Sequence, residues 1–128
     1  MRLKIVLIMV TLLNVGHVFA ANKSGAQMYE DYCAVCHGEN GDGNGKMASA
    51  LTSPATNLTK LSANNGGQFP KRRVRSTIDG RAMPLAHGIR EMPVWGRIWR
   101  RHGEALNEAE MKAVVINLLI YLESIQQE

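Results

Sequence analysis

The residues with the clearest chemical potential form one short run, Cys33-Ala34-Val35-Cys36-His37, which contains both cysteines of the chain. Two thiols at this spacing can form a structural disulfide, act as a redox dithiol, or attach a porphyrin. A redox dithiol of the thioredoxin type needs a strand before the motif and a βαβ unit around it. Neither pattern is visible in the sequence, so the thioredoxin-like interpretation is disfavoured although it stays an alternative.

The histidine directly after the second cysteine favours porphyrin attachment, because Cys-x-x-Cys-His is the signature for c-type haem. On a helix, Cys33 and Cys36 lie on the same face, so both sulfurs can reach the two vinyl groups along one porphyrin edge. His37 then offers an imidazole nitrogen to the iron, and Gly38 is predicted to end the helix. We therefore predict one covalently bound haem c, with a redox dithiol and a structural disulfide as alternatives.

Length and composition describe the protein that must hold this group. A chain of 128 residues, of which 45% are hydrophobic and 20% charged, indicates a single globular domain. This composition excludes collagen-like, disordered and multi-span membrane classes. Aromatic residues make up only 5%, so a core of side chains alone would lack the large rings that dominate burial. A cofactor is expected to fill part of it.

The N-terminal segment has the pattern of an export signal. Two basic residues in the first four precede the apolar run Ile5–Leu13, and small residues end at Ala20. We predict a signal peptide over residues 1–20, a single haem-binding domain over residues 21–128, and a periplasmic location, where covalent haem attachment takes place. A retained membrane anchor is the alternative, but polar residues interrupt the run well short of the roughly 20 residues that span a bilayer.

Helical periodicity appears in three places, and no alternating strand pattern appears anywhere. The stretch from Ser24 to Val35 carries apolar and aromatic residues at three- and four-residue spacing. A short middle helix is predicted where Val74 and Ile78 are four apart and Gly80 follows. Together with the terminal helix described next, these patterns predict an all-α fold.

The terminal helix is the clearest structural prediction. Asn107 with Glu110 three residues later forms a candidate N-cap and capping box. Apolar residues then recur with helical period and are the predicted core face: Met111, Val114, Val115, Leu118, Leu122 and Ile125. The glycines after the haem motif are predicted to form a flexible excursion, and Asn64-Asn65-Gly66-Gly67 a turn.

Several motifs recur along the chain in a recognisable order: Gly25 and Tyr29 before the Cys33–Gly38 motif, the Gly41-Asp42-Gly43 loop, Pro54 with Asn57-Leu58-Thr59, and Met92-Pro93-Val94-Trp95-Gly96 before the last helix. Together they resemble the small class I monohaem cytochromes c. The likeness covers nearly all of residues 21–128, which we therefore predict to form a cytochrome c-like domain. The resemblance implies a haem clamped between N- and C-terminal helices. It also implies that His37 is one axial ligand and that a methionine from a late loop is the other.

Three side chains compete for the sixth iron position: Met92, Met83 and His87. Met92 is favoured because its Pro93 and Trp95 match the family's ligand loop and because it lies closer to the terminal helix than Met83. A thioether ligand raises the reduction potential relative to a second imidazole. The choice therefore sets the range of redox partners.

Two further residues are expected to support the haem by resemblance. Pro54 matches the family's proline whose carbonyl accepts a hydrogen bond from the axial histidine, which fixes the ring, with an ordinary loop proline as the alternative. Trp95 is expected to cover the haem edge and to direct its indole N–H towards a propionate, with plain packing as the alternative. Trp99, within Arg97–Arg101, belongs to a stretch that departs from the shortest family members, and the sequence assigns it no role.

An iron with both axial positions filled by protein has no open site for oxygen or peroxide and can only change oxidation state. The expected function is therefore electron transfer between redox partner proteins, by a free carrier or by the haem subunit of a dehydrogenase or oxidase complex, and not catalysis. A haem sensor or enzyme with a displaceable sixth ligand and a haem-free thiol-disulfide oxidoreductase are the alternatives. No membrane span is expected after signal cleavage.

The net charge of +4 is unevenly distributed. Basic residues crowd the segment that bears the expected ligand loop, whereas acidic residues flank the cysteine motif. The basic residues are Lys71, Arg72, Arg73, Arg75, Arg81, Arg90, Arg97, Arg100 and Arg101. This segment is either a docking surface for an acidic partner or a solvated face that also neutralises propionates. Nucleic-acid binding is not expected, because no DNA-binding motif accompanies the arginines.

Overall fold

The computed structural model describes residues 23–80, 92–105 and 107–128. These ranges are helical, with no strand, which confirms the all-α prediction. The α-helices are α1 (Gly25–Tyr32), α2 (Ala34–His37), α3 (Lys71–Asp79), α4 (Trp95–His102) and α5 (Glu108–Ser124), and short 3-10 helices cover Ala48–Ala50, Leu58–Lys60 and Ala63–Asn65. The predicted signal peptide, Met83, His87, Arg81 and Arg90 lie outside the described residues.

The terminal helix α5 forms as the capping pattern predicts. The Asn107 side chain accepts a hydrogen bond from the Glu110 N–H at 3.0 Å, and the Glu110 carboxylate accepts one from the Asn107 N–H at 3.3 Å. The predicted core face is buried over Met111, Val114, Val115, Leu118 and Leu122, and Leu119 joins it. Ile125 is half-buried and lies just beyond the helix end. No described helix is both long enough and apolar enough to cross a bilayer.

The first helix is shorter than its periodicity predicts. A capping box between Ser24 and Gln27 starts α1. The helix ends at Tyr32, and Cys33 is its C-cap, with φ widened to −113° but still in the right-handed helical region. The Cys33 carbonyl then accepts from the N–H groups of both Cys36 at 3.1 Å and His37 at 2.9 Å. The haem motif therefore sits in its own short turn, α2, after a break in the helix.

Helices α1 and α5 cross at Gly25, which lies against the α5 backbone. A Cβ atom at this position would lie 2.0 Å from the Asn117 carbonyl oxygen. One turn along, the rings of Tyr29 and Tyr121 meet with centroids 5.2 Å apart. Burial of Met28 and Leu118, both 0% exposed, completes this contact. The crossing is thus set by the absence of a side chain at one position.

The remaining helices pack on the same core. In α3, Val74 and Ile78 are buried and Gly80 ends the helix with φ 82°, as predicted. The stretch that the sequence left without a role forms α4, which begins at Trp95 and ends at Gly103 with φ 74°. Helix α4 contacts α3, and its Trp99 is fully buried.

Replacing Gly25 by alanine should destabilise the protein by about 1–3 kcal/mol, because the new methyl group overlaps backbone atoms that no rotamer change can move. The Gly96→Ala variant is the matched control. Its Cβ would meet only the Met111 thioether, at 3.7 Å, and alanine is favoured over glycine within a helix. Urea denaturation of the two variants checks the difference. Equal stability for both would contradict the close crossing.

Candidate functional site

The two cysteines differ in environment although they share one turn. Cys33 is buried, Cys36 is half-buried, and both are free thiols. Burial, and to a smaller extent the neighbouring Cys36, raises the pKa of the Cys33 thiol to about 12. Reactive redox dithiols require the opposite shift, because the thiolate is the nucleophile. This environment weighs against the redox dithiol that the spacing alone left open.

The buried hydroxyl of Tyr29 fixes the chain immediately after the motif. It donates a hydrogen bond to the Gly38 carbonyl at 2.6 Å. Burial is the main cause that raises the pKa of Tyr29, so the phenol stays protonated. Gly38 itself adopts φ 83°, in the left-handed region that favours glycine. Tyr29 thus anchors the turn that directs the chain away from His37.

The imidazole of His37 is oriented by a backbone carbonyl. Its Nδ1 lies 2.9 Å from the Thr56 oxygen. A carbonyl can only accept, so Nδ1 carries the proton and the lone pair of the neutral ring is on Nε2. Burial lowers the pKa of His37, and the hydrogen bond to Thr56 only partly opposes this shift. The ring is therefore held in the neutral form, with the nitrogen that a metal ion would bind left available.

The role predicted for Pro54 is wrong, because Thr56 supplies the carbonyl that His37 contacts. The reason is the register of two neighbouring segments. The Gly43 N–H donates to the His37 carbonyl at 2.7 Å, and the Leu58 N–H donates to the Gly41 carbonyl at 2.7 Å. These bonds place Thr56 opposite the imidazole and leave Pro54 exposed.

The glycine-rich segment after the motif is tied back onto the motif, where the sequence suggested a flexible excursion. The Gly45 N–H donates to the Cys36 carbonyl at 3.2 Å, and the Met47 N–H donates to the Val35 carbonyl at 2.9 Å. A Cβ at Gly45 would lie 2.4 Å from the Val35 oxygen. Close approach of the backbone, and not a positive φ, therefore explains the glycine at position 45.

The expected ligand loop is described from Met92 onwards. Met92 is half-buried and packs against the hydrophobic core. Trp95, half-buried at the start of α4, stacks on Trp99 with ring centroids 6.1 Å apart. Tyr32 meets both indoles edge-on, at 5.5 Å from Trp95 and 6.0 Å from Trp99. We call Tyr32, Trp95 and Trp99 the aromatic trio.

The aromatic trio and its polar support are the site feature that sequence reasoning missed. Tyr32 stands directly before Cys33 and donates its hydroxyl hydrogen to Glu104 at 2.7 Å. Its position next to the motif is a signal that could have drawn attention to it, whereas nothing in the sequence links it to Glu104, 72 residues away. Among the described side chains, the indole N–H of Trp99 is the buried polar group that lacks an acceptor.

Comparison with known proteins agrees with this geometry. The cytochrome c family model matches residues 23–119, so the chain belongs to the cytochrome c family. Membership implies an electron-transfer protein with covalently bound c-type haem. No match was found among curated proteins or among solved structures.

The residues at the site fit such a haem. Cys33 and Cys36 present two free thiols from a single turn, and the His37 ring is held neutral with its Nε2 lone pair available. These are the two requirements for thioether attachment and for axial ligation. His37 would bind the iron, and the cysteines would hold the macrocycle.

Replacing Tyr29 by phenylalanine should lower the unfolding free energy of the haem-bound protein by about 1–3 kcal/mol, because the buried Gly38 carbonyl loses its donor. The Tyr121→Phe variant removes a hydroxyl from the same ring pair and leaves that bond intact. Guanidinium unfolding, followed by circular dichroism, compares the two. Destabilisation of equal size would show that the bond to Gly38 is not what Tyr29 contributes.

Proposed function

We propose that this protein is a periplasmic c-type cytochrome that carries single electrons between redox partner proteins through one haem ligated by His37 and Met92. The observation that carries the proposal is the oriented, neutral His37 imidazole next to two free thiols. One Cys-x-x-Cys-His motif and two cysteines leave room for one haem. Residues 1–20 serve as the signal peptide in this proposal, with cleavage after Ala20.

The surroundings of the described methionines support Met92 as the sixth ligand. Met28 is fully buried in the α1–α5 crossing, Met111 packs against Gly96, and Met47 is exposed. Met92 is half-buried in an irregular segment, where a thioether can turn towards a partner. Pro93 follows it, and α4 begins at Trp95, so the loop is anchored close to the methionine.

Filling both axial positions determines the chemistry. When bound, the haem supplies an iron that changes oxidation state by one electron. His37 and Met92 leave no position for oxygen or peroxide, which supports a carrier in preference to an enzyme or gas sensor. The buried environment of the motif favours the oxidation state with less net charge, which is the ferrous one. A thioether ligand favours the same state.

The proposed partner is an acidic protein surface that docks on α3 and α4. These two helices contact each other and carry exposed arginines, namely Arg72, Arg73, Arg75, Arg97 and Arg101. Of the neighbouring basic residues, Lys71 pairs with Glu123 and Arg100 with Glu108. A hollow of about 390 Å³ lies beside Arg97 and Arg101. The positive potential of these arginines accelerates encounters with acidic partners, and a small interface would keep the complex transient.

Replacing Met92 by alanine should abolish the weak far-red sulfur-to-iron band of the ferric protein and lower its reduction potential, because the soft thioether is lost. The Met47→Ala variant is the control, since Met47 is exposed. Absorption spectra and a redox titration measure both effects, after a pyridine haemochrome assay has confirmed covalent haem. An unchanged band in the Met92 variant would refute the ligand assignment and direct attention to Met83 and His87.

If α3 and α4 form a positively charged docking surface, the effect of salt on the electron-transfer rate should differ between anionic and cationic oxidants. Electron transfer from the ferrous protein to the anionic hexacyanoferrate(III) should slow as salt is added, whereas the reaction with cationic tris(1,10-phenanthroline)cobalt(III) should not. The double change of Arg97 and Arg101 to glutamine should flatten the first dependence. Stopped-flow rates measure both.

The matched control for that experiment neutralises Lys46 and Lys60, which removes the same charge from the segment between α2 and α3. If the two double variants flatten the salt dependence equally, net charge and not a local surface governs the encounter. The docking assignment to α3 and α4 would then be wrong.

A further inference from the structure

We propose that Glu104 and Tyr32 position the Met92 loop, by which we mean the segment Met92–Val94 directly before α4. In this arrangement the Glu104 carboxylate holds the Tyr32 ring against Trp95 and Trp99, and this contact keeps the start of α4 in place behind Met92. Both act as positioning residues, because neither is expected to touch the iron. The inference rests on the proposed function, since it takes Met92 as the sixth ligand.

A single carboxylate oxygen receives two hydrogen bonds at this point. The Tyr32 hydroxyl donates to Glu104 Oε1 at 2.7 Å, and Lys23 Nζ lies 2.5 Å from the same oxygen. Lys23 also pairs with Asp31 at 2.9 Å, and its Nζ lies 5.5 Å from the centre of the Tyr32 ring. The hydrogen bonds from Lys23 and then Tyr32 lower the pKa of Glu104. The side chain therefore stays ionised and strongly accepting.

Glu104 is itself fixed to α4 through the backbone. The N–H groups of Glu104 and Ala105 donate to the Trp99 carbonyl, at 3.0 Å and 3.4 Å. Its side chain is 19% exposed, compared with 80% for Glu108 in the nearby pair with Arg100. A half-buried carboxylate that leaves a helix end at a fixed angle can hold its partner in one place more firmly than an exposed one.

The aromatic trio transmits this constraint to both halves of the haem site. Tyr32 immediately precedes Cys33, so its ring belongs to the attachment side. Trp95 begins α4 three positions after Met92, so its ring belongs to the ligand-loop side. The edge-on contacts of Tyr32 with both indoles join these sides, and the Glu104 bond prevents the Tyr32 ring from turning away.

The test compares Glu104→Ala, Glu104→Gln and Tyr32→Phe in the haem-bound protein. Carbon monoxide binds ferrous iron only when the sixth ligand is off, so its binding rate reports the population of the detached loop. We expect Glu104→Ala and Tyr32→Phe to raise this rate by about tenfold and to weaken the far-red band, because each removes the charge-assisted bond. Glu104→Gln keeps an oxygen acceptor but loses the charge, so we expect a carbon monoxide binding rate between those of the wild type and Glu104→Ala. Circular dichroism confirms that each variant is folded at the assay temperature.

The Glu108→Ala variant is the control, because it breaks an exposed ion pair in the same region without touching the aromatic trio. Wild-type rates and bands in both Glu104→Ala and Tyr32→Phe would overturn the inference, as would an equal effect of Glu108→Ala. If the wild-type protein itself lacks the far-red band, the Met92 assignment fails, and this inference fails with it. If the wild-type protein has the far-red band and Glu104→Ala leaves it unchanged, the positioning role is overturned while the Met92 assignment stands.

Discussion

The site depends on one hydrogen bond, from the His37 ring to the Thr56 carbonyl. It determines which nitrogen carries the proton, and it also fixes the angle of the ring. A histidine ring without that hydrogen bond could protonate or present either nitrogen to the iron. The turn between Gly41 and Gly45 is bonded to the motif and, through the Leu58 N–H, to the segment that carries Thr56. The orientation of the His37 ring is therefore set by the backbone register of the Thr56 segment and not by a side-chain motif.

The helices could be predicted because their signals are local. Asn107 and Glu110 mark the start of α5, and Gly80 marks the end of α3, since caps and stops act within a few residues. The break at Cys33 was not predictable, because the apolar spacing continues across it. The haem-attachment motif could be predicted because Cys33, Cys36 and His37 lie within five residues of one another. The cytochrome c family match agrees with that prediction.

The details of the site were harder to predict, for a physical reason. Whether Pro54 or Thr56 faces His37 is decided by hydrogen bonds between segments separated in sequence, and every residue type offers the same carbonyl. The bond between Tyr32 and Glu104 joins residues 72 apart, and no periodicity encodes it. Trp99 illustrates the converse difficulty. Its flanking arginines suggested a surface segment, yet a single face of α4 buries the indole completely while the arginines remain exposed.

The ion pair between Lys23 and Glu104 depends on where the N-terminal segment is removed. If the proposed cleavage follows Ala20, the finished chain begins two residues before Lys23, whose ammonium group pairs with Glu104. Removal of three more residues would delete the Lys23 side chain, which is one of the two donors to Glu104 Oε1, and leave the Tyr32 hydroxyl as the other. The position of the N-terminus would thus decide whether the Lys23–Glu104 pair forms, and cleavage at more than one position would give a mixture of molecules with and without it.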